Sequence, residues 1–489
     1  GSSTALLADG LAGQDGIRTN TNQQAVAGGG GGAGGSVCVS ADSFAGSGRV
    51  RAAGGAGGSG GYTHPTSTAW NYLQFGGGGG GGGRIAIHCT TCASLADASL
   101  GGSGAIWSGG IHLDARGGAA GRTKHVAPTS GPRRGAPGPI FSDADGVRVV
   151  MLANFDGSTA SATRDATVQL PLGGVSSALD SLLLHSCVAE LAAPLFLRYL
   201  RATESALAVK AELDVRGSVD LLSGEWSLSA AVSAAVFTVG DAAELYSADA
   251  ATPLRLAAGS LVFGGYAAAR EIELVATNAT FVGNGTFDAS GRGEAQVSGA
   301  GRGVSTPPYM YNGNGDVRSI ALTTYSRYRG GSGASHGGMG GDGDSTENAQ
   351  TRNPYGDLET PTSLGSGGGK GVVTILLQTE QSHRHGWHWS GWWYTYSYPK
   401  TWKTYDRAGG AGGGSINVTV ANSLVLNGSS TALLADGLAG QDGIRADTNQ
   451  EALAGGGGGA GGSVYVSADS FEGSGRVRAA GGAGGSGGY

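Results

Sequence analysis

Residues 1–62 are written a second time as residues 428–489, at a fixed offset of 427. Whatever this chain folds into must accept the same module at two places along its length. That is the requirement of an array rather than of a closed globule. Six positions differ between the copies: Thr19/Ala446, Asn20/Asp447, Gln24/Glu451, Val26/Leu453, Cys38/Tyr465 and Ala45/Glu472. Copies that have diverged are successive repeats, not one protomer counted twice. The expectation is one repeat of a tandem polymer together with a short overlap into the next.

Glycine supplies 97 of the 489 residues and proline only 13, with no strict Gly-X-Y period, so a collagen triple helix is excluded. Charged residues are 14%, too few for a charge-driven disordered chain. The net charge of −6 and the lack of a basic run argue against nucleic acid as a partner. No run of apolar residues is long enough to cross a membrane as a helix.

Between the glycine tracts lie short runs that alternate apolar and polar residues. Examples are SVCVS at 36–40, GRVRA at 48–52, RIAIH at 84–88, IHLDA at 111–115, VVTILL at 372–377 and SINVTV at 415–420. Period two places one face in a core and the other in solvent. Residues 170–300 carry fewer glycines and also read as spaced strands, with helix as the lesser alternative on propensity for the Leu- and Ala-rich stretch 179–213. Strands this short cannot stand alone. Stacked coil on coil they bury a continuous core, so the predicted fold is all-β, a glycine-rich parallel β-helix. Coils of about 22–25 residues would give on the order of 80–90 Å per repeat. The tracts at 28–35 and 76–83 are costly to order. Strands resume directly after them, so the expectation is close backbone packing rather than loose tethers. By composition the chain divides into glycine-rich strand segments at 1–165, a less glycine-rich segment at 166–300, glycine-rich loops and a strand at 301–380, an aromatic insertion at 381–407, and the start of the next repeat at 408–489.

The wording of residues 28–55, GGGGGAGGSVCVSADSFAGSGRVRAAGG, resembles a family of very large glycine-rich surface proteins found in bacteria and in some algae, ciliates and plants. Further pieces follow in the family's order: GGGGGGGGRIAIHC at 76–89, GAPGPIF at 135–141, SGASHGGMGGDGD at 332–344, YGDLETPTSLGSGGG at 355–369 and GGAGGGSINVTV at 409–420. The resemblance implies a right-handed parallel β-helix and an extracellular, structural or adhesive role. It brings no catalytic residues. Together with the repeat it suggests a filament of the algal flagellar-hair kind.

Candidate sites are few. Asn278, Asn284, Asn417 and Asn427 each head an N-x-[ST] triplet and are N-glycosylation candidates. Residues 383–405 concentrate aromatics: Trp387, Trp389, Trp392, Trp393, Tyr394, Tyr396 and Trp402 suit lateral protein contact, a local core or a sugar-stacking platform. His383, His385 and His388 in the same stretch are candidate metal ligands, with stacking as the plainer role. Cys89-Thr-Thr-Cys92 lacks the second pair of a zinc site, so a disulfide among Cys38, Cys89, Cys92 and Cys187 is expected. Asp342, Asp344, Glu347, Asp357 and Glu359 are the one calcium candidate, at spacings of neither an EF-hand nor a β-roll. No other cofactor is expected. The Gly57-Gly-Ser-Gly-Gly61 match to a nucleophile elbow lies inside a glycine run and lacks the strand-turn-helix context. The expected function is therefore mechanical: a structural repeat of an extracellular glycoprotein filament, stacking end to end on further copies of itself. A glycan-binding surface adhesin is the alternative, and a polysaccharide-active β-helix enzyme the more remote one.

Overall fold

The computed structural model describes residues 5–16, 28–60, 76–90, 99–101, 104–106, 111–120, 136–153, 168–169, 179–303, 331–340, 353–377, 401–443 and 455–486. Among them there are strands and no helix. The chain is all-β, as its alternation predicts. The ambiguous 179–213 stretch is strand, including Ser181–His185, Val188–Leu191, Leu195–Thr203 and Ala206–Val209. In Leu195–Thr203, Leu195, Leu197, Leu200 and Ala202 are buried while Phe196, Arg198 and Arg201 face solvent. Period two and packing override the helical preference of Leu and Ala here.

Three parallel ladders run through the middle of the chain. In one, 195–197, 213–215, 232–234, 256–258, 272–276, 416–420 and 464–467 lie side by side. In the second, 199–202, 218–221, 236–239, 260–263, 278–281, 423–426 and 470–473 do so. In the third, 207–209, 226–228, 244–246, 266–268, 286–288, 432–434 and 476–478 do so. The sixteen-residue Leu213–Leu228 strand takes part in all three. Successive partners are eighteen or nineteen residues apart at Leu195↔Leu213 and Leu213↔Val232. At Ile272↔Ile416 and Ile416↔Val464 the separation grows to 144 and 48 residues. The register survives these insertions because the inward residues still meet inward residues.

That inward face is one core of Leu, Val, Ile, Phe and Ala running from Val150 to Ala435. Phe263, Phe281 and Phe287 form its aromatic stack, with ring centroids 4.9–5.4 Å apart and edge-to-face at Phe287. A second, smaller core gathers Val50, Ile85, Ile87, Leu113, Ile140 and Met151. Here Ser36–Ala41, Arg84–Cys89 and Ile140–Ala144 pair in parallel. The chain then reverses at Asp145-Gly146, and Val147–Ala153 returns antiparallel to Ile140–Ala144. Both turn residues have positive φ, 50° and 78°, as a type I′ hairpin turn requires. Val147–Ala153 continues in parallel onto Ser181–His185. It is buried on both faces: Val149, Met151 and Ala153 enter the small core, Val150 and Leu152 the large one. The reversal in strand direction thus coincides with a change in which face of the sheet is inside.

The glycine tracts are ordered, but not as sheets. In the first module Gly10, Gly13 and Gly16 donate N–H to Ala53, Ala56 and Ser59 at 2.7–2.8 Å, and Gly29, Gly32 and Gly35 donate to Gln14, Leu11 and Ala8 at 2.6–2.8 Å. Bonds fall at every third residue, the turn length of the polyproline II helix, which leaves its own N–H groups free for neighbours. These backbone segments lie so close that added methyls have no room. A Cβ on Gly77 or Gly80 would be driven into the carbonyl of Gly29 or Gly32. Close approach of backbone to backbone explains the glycine content directly.

Candidate assembly surface

The repeated module builds the same structure in both places. Each of the six bonds just described recurs 427 residues later, from Gly437, Gly440 and Gly443 to Ala480, Ala483 and Ser486, and from Gly456, Gly459 and Gly462 to Gln441, Leu438 and Ala435. Asp9 and Asp15 accept from the N–H of Ala53 (2.9 Å) and Ser59 (2.6 Å); Asp436 and Asp442 accept from Ala480 and Ser486, both at 2.7 Å. Gly46 and Gly473 occupy the same positive-φ turn, at 134° and 114°. None of the six differing positions is among these donors and acceptors, and four of them, at 19–26 and 446–453, lie outside the described residues.

The surroundings of the copies differ. Leu433 and Ala432 are covered by Phe287 and Thr286 across the ladder, whereas the matching Leu6 is 46% exposed. Conversely Val50 is 3% exposed beneath Leu113, whereas the matching Val477 is 45% exposed. An open groove of about 580 Å³ flanks the second copy, walled by His336, Tyr355 and Leu358 on one side and Val464, Ala479 and Gly481 on the other. In the first copy the place of Ala479 is held by Ala52, which is closed over. Its N–H donates to Asp114 (2.8 Å) and its carbonyl accepts from Gly83 (2.6 Å).

Charges sharpen this surface. Arg51 lies 3.4 Å from Asp9 and 3.5 Å from Asp114. Asp114 is 2% exposed and paired with Arg116 at 2.8 Å. Burial pushes its carboxyl up, but the hydrogen bonds and charge of Arg116, with Arg51 behind, outweigh it and hold it below the usual range. In the second copy Arg478 keeps the Asp436 partner at 2.6 Å. Burial lowers the imidazole pKa of His112, assisted by Arg49, and that of His336 against the backbone of Gly461 and Gly462.

The remaining candidates separate by exposure. Asn278, Asn284 and Asn427 are exposed; Asn284 sits in a turn, and the N–H of Asn427 donates to Phe281 at 2.8 Å. Asn417 is half-buried between Glu273 and Tyr465, its amide oxygen buried without a partner among the described residues, a poor place for a glycan. Cys89 is in a disulfide and Cys38 and Cys187 are not, so of the pairings expected among the four cysteines those that join Cys89 to Cys38 or to Cys187 are excluded. The reason is placement. Cys38 pairs with Ala86, three residues short of Cys89 on the strand, and Cys187 is buried in the large core with its thiol 3.9 Å from the Leu152 carbonyl. Cys92 lies outside the described residues.

Trp387, Trp389, Trp392, Trp393, Tyr394 and Tyr396, with His383, His385 and His388, also lie outside them. Trp402 is on the Thr401–Arg407 strand, which pairs antiparallel with Gly371–Leu377. Asp342, Asp344 and Glu347 are outside too. Asp357 spends its carboxylate on the N–H groups of Glu359 (2.8 Å) and Thr360 (3.0 Å), and no metal-ligand cluster occurs among the described residues. Among those residues no helix is long and apolar enough to cross a membrane. Neither a protein-family model, a curated protein nor a solved structure matches the chain.

Proposed function

We propose that this chain is a structural repeat unit of an extracellular filament, a β-solenoid whose successive units stack through the repeated module. The observation that carries the reading is the module itself: a near-identical sequence that makes the same set of backbone hydrogen bonds twice, on either side of a run of stacked strands. Enzymes need a converging set of reactive side chains. Here the two cores are apolar, the buried Asp114 is tied up by Arg116, and charged residues on the ladders pair with one another, as Arg255 with Glu273 and Lys210 with Glu190 do. The unit is built for length and cohesion. The three exposed sequon asparagines support a glycosylated, extracellular setting.

Counting strands from the first module to the second gives the expected period. The order is 36–41, 84–89, 140–144, 147–153, 181–185, 199–203, 218–221, 236–239, 260–263, 278–281, 423–426 and 470–473, which is eleven steps. At ~4.8 Å each this is about 53 Å per repeat. It is shorter than the length read from sequence, because the glycine bundles take up residues without adding rungs. Negative-stain images of the native material test the reading. Filaments with that axial period support it, and isolated particles sink it. Enzymatic removal of N-glycans should lower the mass; an unchanged mass removes the glycoprotein element.

A further inference from the structure

Six glycines of the module make sense only when both copies are read together. In the second copy a methyl on Gly456, Gly459 or Gly462 would strike the carbonyl of Ala408, Ala411 or Gly414, and one on Gly457 that of Ser332. In the first copy the matching Gly29, Gly32, Gly35 and Gly30 meet only their own module or stand open, with nearest atoms at 3.3, 3.2, 3.2 and 3.8 Å. The opposite face behaves in reverse. Gly54 and Gly57 are sealed against the carbonyls of Gly80 and Gly77, whereas Gly481 and Gly484 have 3.6 and 4.0 Å of clearance. Each copy therefore carries glycine on two faces and uses one.

Hydrogen bonds follow the same division. In the first copy Ala52, Gly54 and Gly57 donate N–H to Asp114, Arg116 and Ala119, all at 2.8 Å, while Ala479, Gly481 and Gly484 have no acceptor among the described residues. In the second copy Gly457, Ala460 and Ser463 donate to Gly369, Ser366 and Gly414 at 2.9–3.0 Å, while Gly30, Ala33 and Ser36 have none among the described residues. The apolar residues agree. Val477 is uncovered where Val50 is sealed, and Leu6 is uncovered where Leu433 is sealed.

We infer that the module is a two-faced joint, and that the occupant of its open front face is a second unit of this same sequence. Residues 76–90 and 111–119 of the following unit seat on 458–484 as 76–90 and 111–119 seat on 31–57 in the first copy. The inference rests on the stacking reading above and adds its register. Arg84–Cys89 of the next unit pairs with Ser463–Ser467, and its Asp114 meets Arg478. The consequence concerns the core. Val464 and Val466 pack on the large core, and Val37 and Phe44 on the small one. In an array the two merge, so that each continuous core straddles a repeat boundary, with the module at its middle.

The test is a longer chain in which residues 63–489 are appended after Tyr489. In amide hydrogen exchange, Ala479, Gly481 and Gly484 should slow by on the order of tenfold or more relative to the 489-residue chain, reaching the rates of Ala52, Gly54 and Gly57. Gly481→Leu with Gly484→Leu should abolish that protection, yet leave the thermal midpoint of the 489-residue chain unchanged. Unchanged exchange on extension, or protection that survives the two leucines, overturns the joint. If the longer chain fails to fold, the comparison within the 489-residue chain decides. Equal exchange at Ala52, Gly54 and Gly57 and at Ala479, Gly481 and Gly484 contradicts the two-faced assignment. Protection on extension without filaments in the native material would keep the joint and discard the filament.

Discussion

A glycine tract says that backbone must come close to backbone, but not to which backbone. Gly77 and Gly80 face the carbonyls of Gly29 and Gly32, whereas Gly337 has nothing within 4 Å of the place a methyl would take. We predict that Gly77→Ala or Gly80→Ala costs about 1–3 kcal/mol, the ordinary penalty of overpacking. Gly337→Ala should be neutral. Hydrogen exchange at residues 28–35 would show the first and not the second. The tracts were legible as packed rather than loose because strands resume at once beyond them. The three-residue bond period was not, since a run of identical residues carries no phase. Burial acts on the imidazoles as well. It lowers the pKa of His112, His185 and His336 from the ordinary 6.5. For a lowered folded pKa, the unfolded chain takes up protons first on acidification. Stability should hold above pH 6.5 and fall below it, toward the folded values. Urea unfolding between pH 8 and 5 measures this, and a midpoint that rises with acid would contradict it.

At the scale of elements, alternation was legible in many strands, but in 179–213 it is broken: residues 181–184 are buried without interruption and the alternation of Leu195–Thr203 slips by one after Leu197, so the stretch did not separate from helix in sequence. The Asp145-Gly146 pair is a short hairpin signal, yet Asp-Gly and Asn-Gly recur along the chain, at 9–10, 156–157 and 427–428 among others, so the dipeptide alone does not single out this turn. It does more than connect. The strand it launches, Val147–Ala153, is the shared wall of two cores. Val149 through Ala153 form an unbroken apolar run, the mark of a strand covered on both sides rather than one. Gly146 has φ 78°, so Gly146→Val should cost about 1–2 kcal/mol through the left-handed backbone alone. Met151→Ala should cost about 2–5 kcal/mol and loosen the small core. Chemical denaturation of both variants tests the pair, and near-equal small losses would speak against a two-sided wall.

At the scale of the molecule, repetition was the legible part and the seam was not. Residues 1–62 and 428–489 give the repetition in letters, but only the different surroundings of Val50 and Val477 show that the two copies bury different faces. The insertions were legible as composition shifts, whereas their effect on length was not, because a glycine bundle widens the unit without lengthening its ladders. Length per repeat is therefore the quantity on which the account stands. Electron microscopy of chains with one, two and three appended repeats measures it. The account predicts rigid rods that lengthen by about 53 Å with each repeat. Separate globules at variable spacing, or a length that grows with the square root of repeat number, would contradict it.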